Sequence, residues 1–166
     1  DGSFATGSLN MSGGSASVRA VAVYTNGLQI DKVVIGGMFT TLDGTNRNFV
    51  ARLNTDGTLD PAFNSGVGAN NVINAVLVQN DGRVVVGGAF TTINGTNRNF
   101  IARLNEDGSL DDTFNPGPGA DAPVRALAMD ASGLILAGGD FTAIGDVVVG
   151  RIARLKADGS VAKTFD

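Results

Sequence analysis

The sequence predicts an all-β fold of three tandem units with four strands each, and three observations predict it. The first is a period: Ala-Arg-Leu recurs at Ala51, Ala102 and Ala153, each 51 residues after the last, and Gly-Gly-x-Phe-Thr recurs at Gly36, Gly87 and Gly138 with the same spacing. Self-similarity at a fixed period of this size marks a repeat architecture. The second is glycine: 24 of 166 residues, with only 4 prolines and no collagen period, as suits many short strands joined by turns that need positive φ. The third is that no stretch of ten or more residues carries the i, i+3, i+4 apolar pattern bounded by caps, so no helix is predicted.

Within a unit, the first strand is Val18 to Tyr24, Val72 to Val78 and Val124 to Met129, with alternating or continuous apolar residues. Asn26-Gly27, Asp81-Gly82 or Ser132-Gly133 then supplies a turn, because these residues tolerate left-handed backbone. The second strand is Lys32 to Phe39, Arg83 to Phe90 and Leu134 to Phe141; consecutive Val84, Val85 and Val86 predict that both of its faces are covered. A third strand runs Phe49 to Asn54, Phe100 to Asn105 and Arg151 to Lys156. An Asp-Gly turn at Asp56, Asp107 and Asp158 leads to a fourth, Thr58 to Phe63, Ser109 to Phe114 and Ser160 to Phe165. The chain reads as one repeat domain, 1–166, with units at about 1–55, 56–106 and 107–157, and 158–166 starting or completing a further one. The first unit has three extra residues around Gln29 to Asp31, and the third replaces Gly-Thr-Asn-Arg-Asn by Gly145-Asp146-Val147-Val148-Val149.

A double glycine ending an apolar strand, then Ala-Arg-Leu-Asn-x-Asp-Gly and a closing aromatic, resembles a kelch-type propeller blade, with Phe63, Phe114 and Phe165 where kelch repeats usually carry tryptophan. The segment Asp81-Gly-Arg-Val-Val-Val-Gly-Gly-Ala-Phe-Thr, followed by Ile101-Ala-Arg-Leu-Asn-Glu-Asp-Gly-Ser-Leu-Asp-Asp-Thr-Phe-Asn, is similar to the bacterial delta-60 repeat. The resemblance covers all but a divergent stretch from about Phe4 to Ser17. It implies β-propeller blades in secreted or surface proteins, so an extracellular or cell-surface location in a bacterium is expected, and it brings no catalytic residues. A β-trefoil, also three repeats of four strands, is the alternative; the doubly covered second strand speaks against it, since trefoil barrel strands face one shared interior.

Composition narrows function. With no cysteine and no histidine, thiolate nucleophiles, histidine bases and His/Cys zinc sites are excluded within the chain. The net charge of −4 and the lack of a basic stripe argue against nucleic-acid binding. The longest apolar run, Val33 to Phe39, is far too short to span a bilayer. Phosphate-binding glycine loops and nucleophile elbows are missing; Asp140 and Asp146, peculiar to the third unit, do not by themselves make a hydrolase site. A non-enzymatic protein is expected, with no cofactor.

Calcium is the one ion the turns suggest. Asn54-Thr-Asp56-Gly and Asn105-Glu-Asp107-Gly share half of a calcium loop, but Arg52 and Arg103 stand where an acid is needed, and a bidentate glutamate is lacking. Hairpin turns with locally bonded aspartates fit better. The sequons Asn10-Met11-Ser12 and Asn94-Gly95-Thr96 matter only in a eukaryotic secretory setting. Arg52 with Asp60 and Arg103 with Asp111 predict structural ion pairs, with Ala162 in the matching place of the third unit. The loops Thr41 to Asn48 and Thr92 to Asn99 offer Asn46, Arg47, Asn48, Asn97, Arg98 and Asn99 as candidate ligand contacts for a glycan or protein; the plainer reading has the asparagines capping turns and the arginines solvated.

Propellers close with roughly four to eight blades, and three units leave two sheet faces bare. Exposing a large apolar side chain forfeits about 1.5–3 kcal/mol, so a bare face approaches a domain's entire net stability. Asp-Gly-Ser/Thr occurs four times, at Asp1, Asp56, Asp107 and Asp158, which suggests an excerpt of a longer array. Self-association is therefore expected, as a dimer or head-to-tail filament, or contact with further repeats of a longer chain. The expected role is a structural, extracellular assembly module working through blade edges and faces; the alternative is a glycan- or protein-binding propeller module working through its loop face.

Overall fold

The computed structural model describes residues 7–11 and 14–163. The predicted closing aromatic Phe165, the Asp-Gly-Ser copy at Asp1, the start of the divergent stretch at Phe4 and the sequon residue Ser12 lie outside the described residues. The architecture is all-β, multi-sheet and consistent with a propeller-like fold. Its principal sheets are antiparallel and open. The first orders Ser17–Val23, Val33–Met38 and Val50–Leu53; the second Ile73–Val78, Val84–Gly88 and Ile101–Leu104; the third Val124–Met129, Ile135–Gly139, Ile152–Leu155 and Val161–Lys163. The described sheets thus reproduce neither three complete four-stranded blades nor a three-lobed barrel.

The fourth strand is the main correction. In the first two units it shrinks to single bridges, Leu53 with Leu59 and Leu104 with Leu110. Asp60 and Asp111 explain why. Each turns its carboxylate inward to an arginine, and its other oxygen accepts the backbone N–H two residues on, Ala62 at 2.9 Å and Thr113 at 2.9 Å. That local bond curls the chain out of the ladder. In the third unit Ala162 cannot make it, and Val161–Lys163 continues as a strand. A smaller correction concerns helix: the insertion of the first unit forms a 3-10 turn, Gly27–Gln29.

The three sheets stack face against face, and the two faces of each sheet differ. One, the small face, carries Ala20, Ala22, Val34, Gly36 and Val50 in the first sheet, and Ala75, Leu77, Val85, Gly87 and Ile101 in the second. The other, the large face, carries Ile73, Val76, Val84, Val86 and Leu104 in the second sheet, and Val124, Leu127, Ile135 and Leu155 in the third. Small face meets large face at both internal interfaces: Val34 and Val50 pack with Ile73, Val76 and Val86, and Val85 and Ile101 with Val124, Ile135 and Leu155. Val84, Val85 and Val86 are all completely buried, as expected of a strand covered on both sides. Each buried Val or Ile contributes about 1.5–3 kcal/mol.

The glycine pair serves two different neighbours. A Cβ on the first glycine would lie 2.5 Å from a methyl of the next unit, Ile73 Cγ2 at Gly36 and Val124 Cγ1 at Gly87. The first glycine is therefore a seat into which the following sheet inserts a knob. A Cβ on the second would strike backbone of its own sheet, 2.1 Å from the Ser17 carbonyl at Gly37 and 2.2 Å from the Val72 carbonyl at Gly88. There the first strand makes a β-bulge, with Arg19, Asn74 and Arg125 as the extra residues, and the bulged backbone leans on its partner.

Candidate functional site

The two segments predicted as ligand loops are β-ribbons. Thr41–Leu42 pairs with Thr45–Asn46, Thr92–Ile93 with Thr96–Asn97, and Ala143–Ile144 with Val147–Val148. Asp43-Gly44 and Asn94-Gly95 have positive φ at both positions (49° and 74°, 55° and 76°), the type I′ geometry of tight hairpins. In the third unit only Gly145 does, as a type II′ turn requires. The Asp-Gly and Asn-Gly dipeptides carried this signal, but strands of two residues are too short to show alternation.

The candidate residues divide between surface and scaffold. Asn46 and Asn97 are exposed on the outgoing strands. Arg47 donates from Nη1 to the Asn46 carbonyl at 2.8 Å; Arg98 does the same to Asn97 at 3.0 Å, and its Nη2 reaches Asp112 at 2.9 Å. Asn48 and Asn99 clamp the segment leading to the next unit. Their side-chain amides donate to the carbonyls of Val67 (2.7 Å) and Pro118 (2.8 Å), and their own carbonyls accept from Ala69 and Ala120. Gly68, at φ 70°, completes this contact, since a Cβ there would lie 2.5 Å from the Asn48 carbonyl oxygen. Among the described residues no hydrogen bond joins the 46–48 triplet to the 97–99 triplet.

Sequence reasoning missed what the chain near Leu9 does. Leu9 pairs with Leu42 as Ala69 pairs with Ile93 and Ala120 with Ile144. The Ser8 carbonyl accepts from Asp43 N–H, as the Gly68 carbonyl does from Asn94 and the Gly119 carbonyl from Gly145. Ser8 to Asn10 thus fill, beside the first ribbon, the place that the connecting segments fill beside the others.

The predicted ion pairs form. Arg52 Nε lies 2.7 Å from Asp60 and Arg103 Nε 2.7 Å from Asp111, all four side chains buried. Each arginine also crosses to the next unit, donating from Nη1 to the Glu106 or Ala157 carbonyl at 2.6 Å. The guanidinium carbons stand 5.0 Å from the ring centroids of Phe63 and Phe114, within cation–π range. Lys32 adds a second cation to Asp60 at 2.8 Å. In the third unit Arg154 pairs with Asp130 at 3.3 Å instead.

Burial pushes the Asp60 and Asp111 carboxyls up. Hydrogen bonds outweigh it, from Lys32, the Ala62 N–H and Arg52 to Asp60, and from Thr113 and Arg103 to Asp111, so both sit below the ordinary carboxylate range. A depressed folded-state pKa means stability that is fully present above the unfolded value of about 3.9 and lost as pH falls through the folded one. The chain should hold its stability down to about pH 4 and lose it progressively below; urea midpoints measured at successive pH values check this, and a midpoint flat through the acid range would contradict it.

The Asp-Gly turns bond locally. Asp56, Asp107 and Asp158 each accept from a backbone N–H (3.0, 2.9 and 2.9 Å) and a hydroxyl (2.6, 2.6 and 2.7 Å) of Thr58, Ser109 or Ser160. These bonds hold all three carboxyls below their usual range. Among the described residues no three His, Cys, Asp or Glu side chains gather as a metal centre would require. Asp140 forms a two-pronged pair with Arg125, at 2.6 and 3.0 Å, while Asp146 stands exposed at a ribbon tip. No helix among the described residues is long and apolar enough to cross a membrane.

Stacked antiparallel sheets, repeated with the same glycine pair, are consistent with a β-propeller-type repeat protein. The chain belongs to the family described as a domain of unknown function (DUF5122), beta-propeller, whose model matches residues 31–63, 79–114 and 131–165, more than half of the chain. No curated protein matches it.

Proposed function

We propose that the chain is a non-enzymatic structural module, of the kelch-like delta-60 type, that associates through the faces and edges of its sheets into an oligomer or filament outside a bacterial cell or on its surface. One observation carries this reading: apolar side chains on both outermost sheets stand exposed, beside Val67 on a connecting segment and Val147 and Val148 on the third ribbon. Val18, Val21 and Val23 on the first sheet are 41%, 60% and 46% exposed, and Ile152 on the third is 42% exposed. Leu28 and Ile30, in the insertion that follows the first strand, are also exposed. Clustered exposed apolar surface marks an interaction site rather than a solvated one. The non-enzymatic part draws on the sequence, which holds no cysteine and no histidine, and on the resemblance, which brings no catalytic residues. The location follows the resemblance alone. Light scattering at micromolar concentration should give a mass above the 16.8 kDa of one chain, and a well-folded, strictly monomeric particle would overturn the reading.

A second reading, recognition of a glycan or protein by the ribbon rim, is favoured by the exposure of Asn46 and Asn97 at equivalent places of successive units. A glycan array with the native chain and an Asn46→Ala/Asn97→Ala variant tests it; no binding, or equal binding by both, tells against it.

A further inference from the structure

We infer that the small face of the third sheet is a docking seat for the large face of the first sheet of a second copy, with Gly138 as the socket and Val18 and Val21 as the knobs. This rests on the assembly reading above and names its surfaces.

The two internal interfaces supply the rule. At each one, a knob from the first strand of a unit enters the space over the first glycine of the preceding pair: Ile73 over Gly36, Val124 over Gly87. A second first-strand side chain flanks it, Val76 at 2.9 Å from the position of a Gly36 Cβ and Leu127 at 3.4 Å from that of Gly87. Both sockets are buried. Gly138 is the third socket. The nearest atom to a Cβ there is the Arg151 carbonyl oxygen at 3.9 Å, and among the described residues no knob stands over it. Around it Ala126, Ala128, Leu136 and Ile152 line a shallow apolar depression of about 230 Å³. These occupy the places that Ala75, Leu77, Val85 and Ile101 hold on the small face of the second sheet.

The matching knob lies at the other end of the same chain. Strand register equates Val18, opposite Gly37, with Ile73 opposite Gly88 and Val124 opposite Gly139; Val21 likewise equates with Val76 and Leu127. Ile73 and Val124 are fully buried, whereas Val18 and Val21 stand exposed. The described residues therefore present one socket without its knob and one knob without its socket, of the kinds that mate twice among them. Such a contact is heterologous: it joins unlike surfaces, and closes into a ring where the rotation permits. Two copies joined through both pairs of faces would hold twice the principal sheets of one, within the roughly four to eight that close a propeller.

Two single variants and their mixture test the pairing. Gly138→Val fills a socket where, among the described residues, a Cβ would meet only the Arg151 carbonyl oxygen, at 3.9 Å, and Val18→Asp places a charge on an exposed knob, so each leaves one mating face intact. Sedimentation velocity of the native chain should show species heavier than the monomer; each variant alone should raise the apparent Kd by at least about tenfold. Mixed one to one, they should form a dimer that neither forms alone, through Val18 of the Gly138→Val chain and Gly138 of the Val18→Asp chain. Thermal melts of both variants in dilute solution establish that they fold. A native chain that assembles equally with or without Gly138→Val, or a mixture that stays monomeric, overturns this pairing while leaving assembly through another surface standing. A native chain that stays monomeric overturns both.

Discussion

A Gly87→Val chain should be destabilised by about 3 kcal/mol or more, the upper end of the usual cost of overpacking, whereas Gly138→Val in dilute solution should melt at or above the native temperature. The two glycines hold the same place in the same motif, on equivalent strands, so backbone preference alone predicts equal effects. Their neighbours differ. A Cβ at Gly87 would lie 2.5 Å from Val124 Cγ1 and 3.0 Å from Val124 Cβ, and Val124 is completely buried between two sheets with nowhere to retreat. The added methyls need either an off-rotamer Val124 or a parting of the second and third sheets. At Gly138 the space is open, and valine suits a strand better than glycine does. Urea denaturation followed by circular dichroism measures both. Equal losses at the two positions would show that the seat is not formed by the neighbouring unit.

Asp111→Ala should cost about 3–5 kcal/mol, the usual result of stranding one member of a buried ion pair. Arg103 is buried and keeps its bonds to the Ala157 carbonyl and, at 3.4 Å, to Gln79 Oε1, but neither supplies a compensating charge. Arg83, 3.5 Å from Asp111, loses the same anion. The side chain that bends the second unit out of its fourth strand is lost as well. A double variant, Arg103→Met with Asp111→Ala, should recover a large part of the loss, because no uncompensated charge remains; the double-mutant cycle separates the pair from its surroundings. A loss under about 1 kcal/mol, the range of a solvent-exposed pair, would refute the clip. The third unit already carries the alternative, with Ala162 in place of the aspartate and Arg154 paired to Asp130.

The parts of this fold that were legible in the sequence are those set by local pattern and strict period. The first three strands of each unit, the doubly buried Val84 to Val86 and the Arg–Asp pairing all follow from apolar spacing and from charges repeated eight residues apart. The fourth strand was illegible because Thr58 to Phe63 has the same alternation whether or not a carboxylate captures the backbone; the decisive event is the second Asp60 oxygen accepting the Ala62 N–H, which no periodicity records. The double glycine itself was legible as a repeated motif. That Gly36 faces Ile73, a residue 37 positions on, while Gly37 faces the Ser17 carbonyl, depends on tertiary placement alone. The candidate site divides in the same way. Asn46 and Asn97 lie at the surface, while Asn48 and Asn99 proved to be clamps on the following unit, a role that composition cannot distinguish from ligand binding.

The socket-and-knob stacking also bears on how such a chain changes length over generations. Every junction joins unlike surfaces in one fixed direction, so a unit duplicated or deleted in the gene inherits a compatible neighbour on each side. Genetic recombination between the near-identical Ala-Arg-Leu stretches can therefore lengthen or shorten the array by whole periods without any compensating substitution, and the two terminal surfaces keep their character throughout.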